Sequence, residues 1–114
     1  MSLSFQSLRN ILPPGSIEVV NFNELKLDFN QLTGDTLNLE TSCVGSIVKL
    51  MQGLTQLTKD INLVRVTENP SKSPIIFVSK ELVGTPDAPE FEFTIRVAVD
   101  TAKFVNNLID PIND

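Results

Sequence analysis

SCVGSIVKLMQGLTQLTKD, residues 42–60, carries the clearest helical periodicity in the chain. At about 100° per residue, Val44, Ile47, Val48, Leu50, Met51, Leu54 and Leu57 fall in one half of a helical wheel. Gly45, Ser46, Lys49, Gln52, Gly53, Gln56, Lys59 and Asp60 fill the other half. Thr41 or Ser42 offers a hydroxyl to cap the first turn, and Lys59 suits the dipole of the last. The two glycines each cost about 1 kcal/mol relative to Ala, so tertiary packing must hold this helix. Its apolar face is near half the circumference, wider than the roughly 100° stripe of a helix lying on one layer.

On the N-terminal side, Phe5, Leu8, Ile11 and Leu12 keep helical offsets over Ser4–Leu12, and Pro13-Pro14-Gly15 ends the run. Ile17–Phe22 reads as a strand. Leu25, Leu27 and Phe29 then alternate with Lys26, Asp28 and Asn30, and Leu37 and Leu39 alternate with Thr36, Asn38 and Glu40. With Gly34 inside the link Gln31–Asp35, this pattern predicts a hairpin with one buried face.

On the C-terminal side three strands are expected. Ile61–Thr67 is the first, followed by the polar turn Glu68–Pro74. Ile75–Val83 is the second, followed by the turn Gly84–Pro89. In the third, Phe91, Phe93, Ile95, Val97 and Val99 face one way, with Glu92, Thr94, Arg96 and Ala98 opposite. A last helix, capped by Asp100 or Thr101, would gather Ala102, Val105, Leu108 and Ile109 on one face. Pro111 limits it, and Ile112–Asp114 should fray. The order α-ββ(β)-α-βββ-α predicts one α+β domain over residues 1–114. It would be an antiparallel sheet of about five strands, with a long central amphipathic helix and shorter terminal helices. This order is similar to that of the roadblock or profilin-like sandwich, a likeness of topology carried by no motif.

The 114 residues include nine Lys or Arg, fourteen Asp or Glu, one Cys and no His, Trp or Tyr. A net charge of −5 repels nucleic-acid backbones and anionic lipid, so neither is an expected partner. One Cys and no His leave no zinc site of the usual kind within one chain, and no metal or cofactor is expected. The apolar runs are too short to span a membrane. The lone Cys43 and the absence of a basic-then-apolar leader suggest a cytoplasmic protein.

A Ser-His-Asp or Cys-His arrangement cannot come from one chain without histidine. Ser46 and Lys49 fit S-x-x-K, whose spacing lets a lysine activate a serine on one helix face. The strings that accompany it in penicillin-recognising enzymes are missing, and a solvated polar stripe opposite the core is the simpler reading. Cys43 stands near a helix start, where a thiolate is favoured, though a small inert residue is the simpler reading. Asp87, Glu90 and Glu92 gather around a turn and match no calcium loop. The five glycines form no phosphate-cradling motif.

Three functions are compatible with this inventory. The first is a non-enzymatic interaction or assembly module that pairs with itself as a homodimer, or with another protein. Leu50, Leu57 and Ile61, on one flank of the wide helix face, are its candidate interface; burial of that face between sheet and terminal helices is the equal alternative. The second is a small-molecule-binding module with a pocket between helix and sheet. The third is a small enzyme using carboxylates or the Ser46/Lys49 pair.

Overall fold

Helix α3, Val44–Glu68, is the axis of the computed structural model, which describes residues 2–99 and 108–109. It runs eight residues beyond the expected end at Asp60, straight through the segment Ile61–Thr67 that its composition assigns to a strand. Two sets of contacts override that local preference. Ile61 continues the line of Leu54 and Leu57 and is 1% exposed in the core. Thr58, Asn62 and Arg65, on a neighbouring line of the same helix, hold the chain as it returns. Arg65 donates from Nε and Nη2 to the Ser73 carbonyl. Asn62 bonds both backbone groups of Ile75, and the Val78 amide donates to Thr58 Oγ1 at 3.4 Å. The helix ends at Asn69, whose amide donates to the Arg65 carbonyl; Pro70 then disfavours helical backbone at Asn69. Lys59 is therefore mid-helix, and Arg65 is the basic residue of the last turn. The N-cap is Cys43, which makes no capping bond; Ser42 Oγ accepts from the Val44 amide instead.

Helix α1, Phe5–Ile11, forms as its periodicity predicts, with Ser4 Oγ accepting from the Ser7 amide. It packs on α3 where Gly53 removes a side chain. A Cβ at Gly53 would come within 2.5 Å of Leu12 Cδ2. Strands β1, Ile17–Asn21, and β2, Glu24–Leu27, pair antiparallel through a turn at Phe22 and Asn23. The expected hairpin between the 25–30 and 36–40 runs does not form. Asp28 accepts from the amides of Asn30 and Gln31, nucleating the short helix α2, Phe29–Thr33, which Gly34 closes at φ 76°. That cap ends the alternation after Leu27, and Leu37 and Leu39 lie in irregular chain.

Strands β3, Val78–Thr85, and β4, Ala88–Ile95, form an antiparallel hairpin that turns at Pro86 and Asp87. Two further residues, Ala98–Val99 (β5), pair with Leu108–Ile109 (β6). These last two residues are strand where the sequence predicts helix. The rest of that helix, with its cap and tail, lies outside the described residues.

The chain is thus α+β, but the expected five-stranded sheet is replaced by separate two-stranded pairings. Helix α3 occupies the segment that would have joined the hairpins, and its Thr58 takes the outward Val78 amide. Among the described residues the profilin-like sheet does not form, for the same reason. One core serves the α1, β1–β2, α2 and α3 elements: Leu8, Leu12, Ile17, Leu32, Leu57, Ile61 and Ile75.

Candidate functional site

The β3–β4 hairpin stands largely outside that core. Its register places Val78 opposite Ile95, Lys80 opposite Phe93 and Leu82 opposite Phe91. Directly opposed residues of an antiparallel pair share a face. One face therefore carries Val78, Lys80, Leu82, Phe91, Phe93 and Ile95. The other carries Ser79, Glu81, Val83, Glu90, Glu92 and Thr94. Val78 anchors the base of the apolar face against α3 and is buried. Beyond it the face is open: Leu82 is 67% exposed, Phe91 57% and Ile95 51%. Lys80 lays its ammonium 4.4 Å from the centre of the Phe91 ring, so its stem shields part of that apolar surface. A two-stranded hairpin is marginal alone in water. Here the ties to α3 at its base hold it, with an apolar face left over.

The sequence alternation places Phe91, Phe93 and Ile95 on one face, and the register agrees. The alternation is real, but the face has no layer over it among the described residues. The signal for exposure lay across the hairpin, in Lys80 standing between Val78 and Leu82 on the same face.

The three residues of the expected helix interface are placed differently. Leu57 is 2% exposed and Ile61 is buried with it in the core, while Leu50 is half-buried at the core's edge. The exposed apolar residues of α3 are Val44, Ile47, Leu63 and Val66.

An open trough of about 710 Å³ runs between β2, α2 and the start of α3, with Phe29, Leu39 and Ile47 among its walls. Cys43 and Ser46 also line it. Ser46 is buried, Lys49 is exposed and does not reach the trough, and Cys43 is exposed at the helix start. The trough does not join serine and lysine into one site. A smaller hollow of about 310 Å³ lies among Leu3, Phe5, Leu8, Leu54 and Phe77, between α1 and α3, and is also open. Asp87 sits in the hairpin turn, while Glu90 and Glu92 stand on the polar face with Glu81. Among the described residues no three Cys, Asp or Glu side chains are grouped to hold a metal ion. No described helix is long and apolar enough to cross a membrane.

Comparison with protein families, with curated proteins and with solved structures finds no match for this chain.

Proposed function

We propose that the protein is a non-enzymatic assembly module that associates with itself, and that the β3–β4 hairpin is the surface it assembles through. The observation that carries this reading is the apolar face formed by exposed Leu82, Phe91 and Ile95 beside half-buried Phe93, on a hairpin anchored at one end. Scattered exposed apolar residues are ordinary on a protein surface; a contiguous face of large ones marks a site of association. The residues also have low mobility costs on binding. Phe has only two side-chain torsions to fix, and the strand backbone is already extended. The polar face with Glu81, Glu90 and Glu92 keeps the opposite side wet and gives the hairpin a defined orientation.

Size-exclusion chromatography with light scattering over a wide concentration range tests this reading. The expected mass rises above the 12.6 kDa of one chain as concentration increases. A mass of one chain at every concentration overturns it.

A further inference from the structure

The outer edge of β4 carries more information than its apolar face. The Arg96 amide donates to the Phe77 carbonyl at 2.8 Å, continuing the β3–β4 ladder by one pair. In an antiparallel ladder, residues alternate between pointing their backbone groups toward the partner strand and away from it. Arg96 points inward, so Thr94, Glu92 and Glu90 do too. The amides and carbonyls of Phe91, Phe93 and Ile95 then point outward, along an edge that no other strand among the described residues pairs with. The β3 edge is obstructed at its base, where the outward Val78 amide is taken by Thr58 of α3, while its Lys80 and Leu82 backbone groups point outward as those of β4 do.

We propose that this β4 edge pairs antiparallel with the β4 edge of a second copy, about a two-fold axis through Phe93, making a four-stranded sheet. The proposal rests on the self-association reading and names its contact. Charge narrows the register and backbone pairing decides it. An axis through Glu92 would set Glu92 against its own copy, and an axis through Phe91 would set Glu90 against Glu92 on both sides. Like charges directly opposed destabilise a sheet. With the axis at Phe93, Glu90 faces Arg96 of the second copy, Glu92 faces Thr94, and Phe91 faces Ile95. Glu90 and Arg96 are both exposed and ready to meet. The outward groups then close about six backbone bonds, two for each facing pair: Phe91–Ile95, Phe93–Phe93 and Ile95–Phe91. An axis at Thr94 also avoids like charges, setting Glu92 against Arg96, and is disfavoured by its backbone pairing alone. It leaves about four such bonds within β4 and pushes Phe91 against Val97, past the strand's end. Pairing about Phe93 also puts both apolar faces on one side, where the Phe93 rings meet.

Charge reversal tests the register. Within one chain Glu90 and Arg96 are roughly 20 Å apart along the strand, so they cannot pair with each other. Glu90→Arg and Arg96→Glu should each weaken the dimer roughly tenfold or more, because each replaces two symmetric attractions by repulsions. The double variant should restore it. Amide exchange gives a second readout: Phe91, Phe93 and Ile95 should become protected as concentration favours the dimer. A dimer indifferent to both single reversals, or not restored by the double, overturns the edge pairing but leaves self-association intact. So do fast-exchanging Phe91, Phe93 and Ile95 amides in a dimer. A wild-type chain that stays monomeric overturns both.

Discussion

Asn62 holds both backbone groups of Ile75. Its Nδ2 donates to the Ile75 carbonyl at 3.0 Å, and its Oδ1 accepts from the Ile75 amide at 2.7 Å. A side-chain amide thus does for one residue what a neighbouring strand would do. With Thr58 and Arg65 on the same line of α3, it pins the chain that leads into β3, and so sets where the hairpin leaves the body.

Asn62→Ala should destabilise the fold by about 3 kcal/mol, since it leaves an amide and a carbonyl at buried Ile75 without partners. Urea denaturation followed by circular dichroism measures this. A loss within ~0.5 kcal/mol of zero would show that the clamp contributes little.

The two glycines of α3 should respond oppositely to alanine. At Gly45 an added Cβ meets nothing within 4 Å, and helix propensity alone acts, so Gly45→Ala should stabilise by about 0.5 kcal/mol. At Gly53 the methyl collides with the buried Leu12 side chain, which must shift away from the α1–α3 contact. Gly53→Ala should lose about 1–3 kcal/mol despite the same gain in propensity. Thermal unfolding of both variants side by side distinguishes them. Equal and positive shifts would contradict the close approach of Leu12.

The order of elements was partly legible before the structure. Helix α1, strand β1 and the start of α3 follow their periodicities, as does the alternation of β4. What misled was local pattern without its neighbours. Ile61–Thr67 has strand composition, yet Ile61 is needed in the core, and Asn62 and Arg65 are needed by residues 73–75, thirteen and eight positions on. Phe29 continues an apolar alternation, yet Asp28 caps a helix at that point. The candidate surface was legible as a periodicity and illegible as a surface. Nothing in the alternation of Phe91, Phe93 and Ile95 states whether a layer covers it.

Gly84 should be intolerant of any side chain. It adopts φ 87°, and a Cβ there would lie 2.5 Å from the Ala88 carbonyl oxygen across the hairpin end. Gly84→Ala combines a left-handed backbone penalty of about 1–2 kcal/mol with a clash against backbone that cannot rotate aside. The expected outcome is a frayed hairpin tip with the α3 core intact. Amide exchange should show lost protection among β3 and β4 residues near the turn, with that of α3 unchanged. Unaltered protection in the hairpin would refute this.

The central claim is that the apolar face of the β3–β4 hairpin drives self-association. Leu82 and Phe91 face each other on it and are exposed, so replacing both by serine should leave the folded chain intact. Sedimentation equilibrium of the wild type and of the Leu82→Ser, Phe91→Ser double variant is the most direct measurement. The wild type should show a reversible dimer, and the double variant a single chain of 12.6 kDa with unchanged helical content. A double variant that associates as strongly as the wild type would contradict the claim.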